Sequence, residues 1–325
     1  MTAPTRPVGW RRRLDRTRRR AVAALGLAWL RGTFAVLERV APDAAERRAV
    51  DVWCTLPSGA GHRHDHRPAP GRLERLTIPG GRTIAVESWG SPDAPPVYLV
   101  HGWGGWRGHL GAFVQPLVDA GLRPVAFDAP GHGDADVGML GPRRGTVMEM
   151  IAALEVTARA HGRAAGVVAH SLGTTVAARA IQDGLATDRL VLLSPNPAFG
   201  DLVVQFSRTL RLNARTTAAL RRALEEITER SMDDFDLLTI GAEAALPPTL
   251  VVHDRDDREA PHDVGEAVAT TWPGAALVTT EGLGHYRILR APAAVAAGVA
   301  HVLAGVRAVE PVEAVEPVEL SVEPA

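Results

Sequence analysis

Residues 166–180 read GVVAHSLGTTVAARA: an apolar β-rich run, the pentapeptide AHSLG at 169–173, and then a helical pattern with no intervening linker. A serine with small residues two before and two after it fits a sharp strand-to-helix turn, because bulkier neighbours would collide with the adjoining backbone. Ala169 and Gly173 fill those positions around Ser171, giving G-x-S-x-G with alanine first. Such a turn lifts the hydroxyl off the end of a strand and leaves the Leu172 N–H free at the start of a helix.

Working outward, short β-rich runs alternate with longer helical patterns from 72 to about 305. Strands are expected at 73–78, 83–88, 97–100, 124–127, 166–169, 190–193, 249–252 and 276–279, and helices at 112–120, 146–160, 174–183, 263–270 and 294–303. This rhythm predicts an α/β fold, a mostly parallel sheet with helices on both faces, whose ligand site lies beyond the carboxyl ends of the strands. At those ends stand the remaining chemical groups. PVYLV runs into HGWGGW at 101–106, whose glycines let main-chain N–H groups point inward, and the Trp103 N–H pairs with that of Leu172 as donors to an oxyanion. His101 comes too early in the chain to act as a base and is read as a positioning residue.

TLVVH leads into DRDDREAP at 254–261, and the last strand into EGLGHY at 281–286. Three aspartates compete to be the acid that orients His285. A loop needs several residues to turn toward the histidine, which favours Asp257 over Asp254, too near the strand, and Asp256, expected to face away. Ser171, Asp257 and His285 then follow in the order serine, acid, histidine.

These motifs, together with FDAPGHG at 127–133 and GLGHYRIL at 282–289, resemble the α/β-hydrolase superfamily over about residues 72 to 305. The resemblance implies an eight-stranded sheet with one antiparallel strand, a Ser171–Asp257–His285 triad, an oxyanion hole from Trp103 and Leu172, and a helical lid at about 197–246. Alanine at 169 and the lack of a serine after GHG depart from the family pattern; the second leaves the packing of that loop open. Trp106, His170, Phe199 and Phe206 are assigned to the substrate pocket, with Leu202, Leu210 and Leu212 as further apolar lid residues. The expected activity is cofactor-independent hydrolysis of small to medium carboxylic esters. Thioester, peptide or carbon–carbon hydrolysis on the same triad is the alternative, and a non-catalytic binding protein the rival from another class.

Composition narrows the remainder. Of 325 residues, 46% are hydrophobic, enough for a sizeable core. The 36 basic residues, all arginine, balance 37 acidic ones, so the chain carries no overall bias toward nucleic acid. One cysteine, Cys54, excludes an internal disulfide framework and cysteine-cluster metal sites. His62, His64 and His66 alternate with charged residues and read as a solvated loop, so no metal site is expected.

Four parts are expected: a basic, amphipathic N-terminal segment at 1–56, a flexible linker at 57–71, the α/β body at 72–305 and a disordered acidic tail at 306–325. Within the first, eight arginines and one aspartate in residues 1–20 precede an apolar pattern that continues past Arg31 at helical spacing. We read residues 17–41 as an amphipathic helix rather than a targeting signal. The expected location is cytoplasmic, with weak peripheral contact of this segment with membrane as the one partner beyond a small acyl substrate.

Overall fold

The structure, a computed structural model, describes residues 9–57 and 64–306, the first twelve of these by backbone alone. Its centre is an eight-stranded sheet: β1 (Arg72–Thr77), β2 (Thr83–Ser88), β3 (Pro96–Val100), β4 (Arg123–Asp128), β5 (Gly166–His170), β6 (Leu190–Leu193), β7 (Thr249–Asp254) and β8 (Ala275–Thr280). The spatial order is β1-β2-β4-β3-β5-β6-β7-β8, with β2 antiparallel to both neighbours and all other pairs parallel. The expected strands are therefore all present, most of them a residue or two longer. β3, β4, β5 and β6 are buried along their whole length, as parallel strands covered on both faces must be, whereas β1 and β8 are partly exposed at the edges.

Alternate residues of each strand feed two cores. Tyr98, Val100, Val167 and Ala169 face one, and Val97, Leu99 and Val168 the other. The helices follow as α1 (Gly9–Val40), α2 (Pro42–Trp53), α3 (Val114–Asp119), α4 (Val147–His161), α5 (Leu172–Gln182), α6 (Phe199–Leu210), α7 (Ala214–Thr228), α8 (Leu237–Glu243), α9 (His262–Thr271), α10 (Gly284–Arg287) and α11 (Pro292–Leu303). Local sequence sets several boundaries. Thr146 and Glu149 form a reciprocal capping box at the start of α4, and Asn213 caps α7.

The chain leaves β3 toward β4 on one side and returns to β5 on the other. A crevice therefore opens at the carboxyl ends of β3 and β5, bringing the loop after Val100 beside Ser171. β8 lies three strand spacings from β5, about 14 Å, so the loop that carries His285 must reach back across the sheet end.

The N-terminal segment is not set apart from the body. Asp51 pairs with Arg144, Leu56 N–H donates to the Arg143 carbonyl at 2.8 Å, Arg215 bridges Asp43 and Glu46, and Phe34 is fully buried. Nor is the linker loose where it is described. Arg67 pairs with Glu87 at 2.6 Å, Gly71 N–H donates to the same carboxylate at 2.8 Å, and Trp89 Nε1–H donates to the Ala69 carbonyl. A loop rich in Gly, Pro and His advertises missing periodicity, but not the side-chain partners that fix it. His62 and the acidic stretch at 307–325 lie outside the described residues.

Candidate active site

Ser171 takes φ 52° and ψ −126°, a backbone conformation that L residues rarely adopt. Close packing enforces the turn. A Cβ on Gly173 would lie 2.6 Å from the Val100 carbonyl oxygen and 2.7 Å from that of His101, and one on Gly102 would lie 2.9 Å from the Ser171 Cβ. Glycine at these two positions lets the β3 loop and the β5–α5 turn touch. Among the described residues, neither the Trp103 nor the Leu172 N–H is given to a protein acceptor.

His285 sits in the one-turn helix α10, and its Nδ1 lies 2.8 Å from Asp257 Oδ2. Asp257 is buried, and burial alone would raise its pKa. His253 and His285 beside it and the Ala260 N–H at 3.0 Å outweigh that, and its carboxyl titrates far below the usual range. Of the three competing aspartates, Asp257 is thus the one facing His285. The other two hold the loop. Asp254 accepts from Leu283 N–H (3.0 Å), Gly284 N–H (2.8 Å), Asp256 N–H (3.0 Å) and the Thr280 hydroxyl (2.8 Å), and Asp256 accepts from Gly282 N–H (2.9 Å). Asp256 therefore turns toward the histidine loop instead of away from it.

A cavity of about 450 Å³ opens over Ser171 and His285. Trp103, Leu172, Phe199, Leu202 and Phe206 line it, as do Thr146 and Val147 at the start of α4 and Leu224, Ile227 and Met232 beyond α6. Two wall residues, Trp53 and Cys54, come from the N-terminal segment, and reading that segment as separate concealed them. Trp53 meets Phe206 edge-on with ring centroids 5.2 Å apart and Phe199 at 6.5 Å. The signal was available in the apolar end of AVDVWC, the last turn of an otherwise charged helix. Leu210 and Leu212 face the core instead of the cavity.

Trp106 and His170 do not line the cavity. Trp106 is 1% exposed and lies beneath the guanidinium groups of Arg67 (4.6 Å) and Arg107 (5.5 Å), because the chain turns away from the site after Gly105. His170 ends β5 pointing into the protein. Its Nε2–H donates to the His285 carbonyl at 3.0 Å, and its ring centroid is 4.7 Å from that of His285. Burial, with His285 alongside, pushes its pKa well below the ordinary histidine value, and among the described residues its Nδ1 has no hydrogen-bond partner.

His101 is a positioning residue: fully buried, it donates from Nδ1 to the Gly102 carbonyl (2.8 Å) and accepts the Ala129 N–H at Nε2. Burial lowers its pKa to about 4, and that of His132, packed under Trp103, to about 3. The loop after GHG has a partner where serine was missing. Asp134 N–H donates to Asp128 at 2.8 Å, and the Asp134 carboxylate pairs with Arg107 at 2.7 Å.

With this geometry in view, comparison with known proteins is decisive for kinship. The profile of the Alpha/beta hydrolase family matches residues 97–298, well over half of the chain.

The chain belongs to the alpha/beta hydrolase family.

Similar solved structures include an esterase from Exiguobacterium antarcticum (17% identity, TM-score 0.54, covering 72% of this chain and 99% of that one). Another is a thermophilic esterase from Thermogutta terrifontis (20%, 0.53, 72% and 98%), and a third the thioesterase domain from the curacin biosynthetic pathway (17%, 0.52, 72% and 100%). At these identities the likeness is one of fold. A relative by sequence is the dihydrolipoyllysine-residue acetyltransferase component of the acetoin cleaving system of Pseudomonas putida. It is 33% identical over 131 residues, which is 39% of this chain and 32% of that protein, so the match spans about a third of the relative's length.

Proposed function

We propose that this alpha/beta hydrolase is a serine hydrolase cleaving carboxylic esters of small to medium apolar acyl groups. The observation that carries the reading is the strained Ser171 turn opening onto the same apolar cavity as His285, whose far nitrogen is held by buried Asp257. In the proposed cycle His285 Nε2 takes the Ser171 proton as Oγ bonds to the acyl carbon. The Trp103 and Leu172 N–H groups receive the resulting oxyanion. Collapse breaks the ester C–O bond, and the leaving alkoxide takes the proton from His285. Water, deprotonated by His285, then attacks the acyl-enzyme and returns Ser171 with its proton. Asp257 stays ionised throughout, fixing the imidazole tautomer and stabilising its cation. The lining of Phe199, Leu202, Phe206, Ile227 and Met232 suits a hydrocarbon chain.

The test is labelling with a fluorophosphonate followed by a screen of esters, thioesters and amides of graded acyl length. The expected result is modification at Ser171, absent in Ser171→Ala, with turnover highest on esters. Turnover highest on thioesters or amides would assign the same triad to that bond. Absence of labelling and of turnover in the folded protein would leave a non-catalytic binding protein.

A further inference from the structure

Helix α1 has two apolar sides, and the fold uses one. Leu27, Leu30, Phe34 and Leu37 pack onto the core, and Arg31 Nε–H donates to the Thr209 carbonyl at 2.8 Å, clamping this side to α6. Val22, Leu25, Trp29, Val36 and Val40 are 58% to 73% exposed. At 100° per residue these five fall within an arc of about 60°, turned well away from the packed side. They form a stripe about 27 Å long with tryptophan near its middle. The span Ala21–Val40 is long and apolar enough to cross a membrane, yet Phe34 and Arg31 bind its second half to the protein, which fits a helix lying along a surface.

The backbone of the same helix continues back to Gly9 through a stretch holding Arg11, Arg12, Arg13, Arg16, Arg18, Arg19 and Arg20 against a single acid, Asp15. An apolar stripe continued by a dense cationic run is the composition that an anionic bilayer surface binds: side chains enter the acyl boundary while arginines meet the headgroups. The acidic chain end is a poorer occupant, because Val306, where the described residues end, packs into the core on the opposite face of the sheet.

We propose that α1 docks the protein peripherally on anionic lipid bilayer through Val22, Leu25, Trp29, Val36 and Val40, with the arginine run held against the headgroups. The cavity then lies beside the bilayer. Thr209, whose carbonyl α1 holds, and Trp53, in the helix next along the chain, both line it. This goes beyond the hydrolase reading and does not depend on it.

The test is co-sedimentation of the full-length protein with vesicles of phosphatidylcholine alone or with about one third phosphatidylglycerol, at about 0.05 M and 0.5 M salt. Wild type should partition onto the anionic vesicles at low salt and be largely released at high salt. Leu25→Glu/Trp29→Glu, at positions 71% and 64% exposed, should keep the wild-type melting temperature and lose binding. Arg18→Gln/Arg19→Gln/Arg20→Gln should weaken it by about two orders of magnitude. Wild type that stays in the supernatant at low salt, or a double glutamate variant that binds as well as wild type, would overturn the proposal. A concentration-dependent dimer abolished by the same glutamates, without vesicle binding, would overturn it in favour of a second copy on the stripe.

Discussion

Asp254 and Asp257 grip one histidine from two sides: Asp257 Oδ2 sits 2.8 Å from the His285 ring, while Asp254 Oδ1 takes the main-chain N–H of Gly284 immediately before it. The first contact sets the tautomer and the second sets where the ring stands. Their substitutions should separate. Asp257→Asn should lower kcat by about four orders of magnitude with a modest change in stability. Asp254→Asn places an amide NH2 where one carboxylate oxygen accepted two of the four donors, so it should cost about 1.5–3 kcal/mol of stability and a smaller part of kcat. Steady-state kinetics on a soluble p-nitrophenyl ester, with urea unfolding of each variant, reads both. A larger kcat loss in Asp254→Asn than in Asp257→Asn would reverse the assignment.

The strain at Ser171 gives a second expectation. A non-glycine residue at φ 52° and ψ −126° costs on the order of 1–3 kcal/mol, which glycine avoids, although glycine also gives back some unfolded-state entropy. Ser171→Ala and Ser171→Gly should both be inactive, with the glycine variant the more stable by about 1 kcal/mol. If the alanine variant proves the more stable in chemical denaturation, the turn is relaxed and the strain argument fails.

Chain-length preference should follow the aromatic pair at the cavity wall. Phe206→Ala and Trp53→Ala each remove one partner of the edge-on contact and enlarge the same apolar space. Longer acyl esters should gain over acetyl esters in kcat/KM, by roughly 1–3 kcal/mol for each methylene newly accommodated. An unchanged acyl-length profile in both variants, accompanied by a lower melting temperature, would make the pair a packing contact alone.

The strands, the order of the motifs, the sharp turn at Ser171 and the pairing of Asp257 with His285 were legible because each rests on a local pattern. Period-two or continuous apolar runs mark strands, and the serine turn demands small neighbours. What escaped depends on contacts distant in sequence. Trp53 and Cys54 reach the cavity because α2 folds back against α7; the apolar end of AVDVWC signals that they are covered, but not by what. Trp106 and His170 stand beside motif residues, yet the direction of one side chain is set by Arg67 and Arg107 and that of the other by the His285 carbonyl. Asp254 looked too close to its strand because only the structure reveals how tightly the 280–284 loop folds over it.

Acid sensitivity should come first from histidines, well above the pH at which the paired aspartates protonate. His101, His132 and His170 are buried, and burial lowers the pKa of the first to about 4, of the second to about 3 and of the third well below 6.5. In the unfolded chain each returns to about 6.5. As pH falls below that value, the unfolded state binds protons that the native state refuses, so νU exceeds νN and stability drops as pH falls. Each histidine contributes about 1.4 kcal/mol per pH unit once its unfolded form is mostly protonated, so the three together give a slope of about 4 kcal/mol per unit approaching pH 5. The contribution is fully present above about pH 6.5 and is lost as pH falls to about 4 for His101 and about 3 for His132. The depressed carboxyls of Asp254 and Asp257 add their loss only below about pH 4, the usual carboxylate range. Urea midpoints at fixed temperature, taken in half-unit steps from pH 7.5 to 4.5, measure the slope, and His132→Phe should remove about one proton from it. A flat profile between pH 6.5 and 5 in the wild type would mean that these rings bind protons as readily when folded as when unfolded.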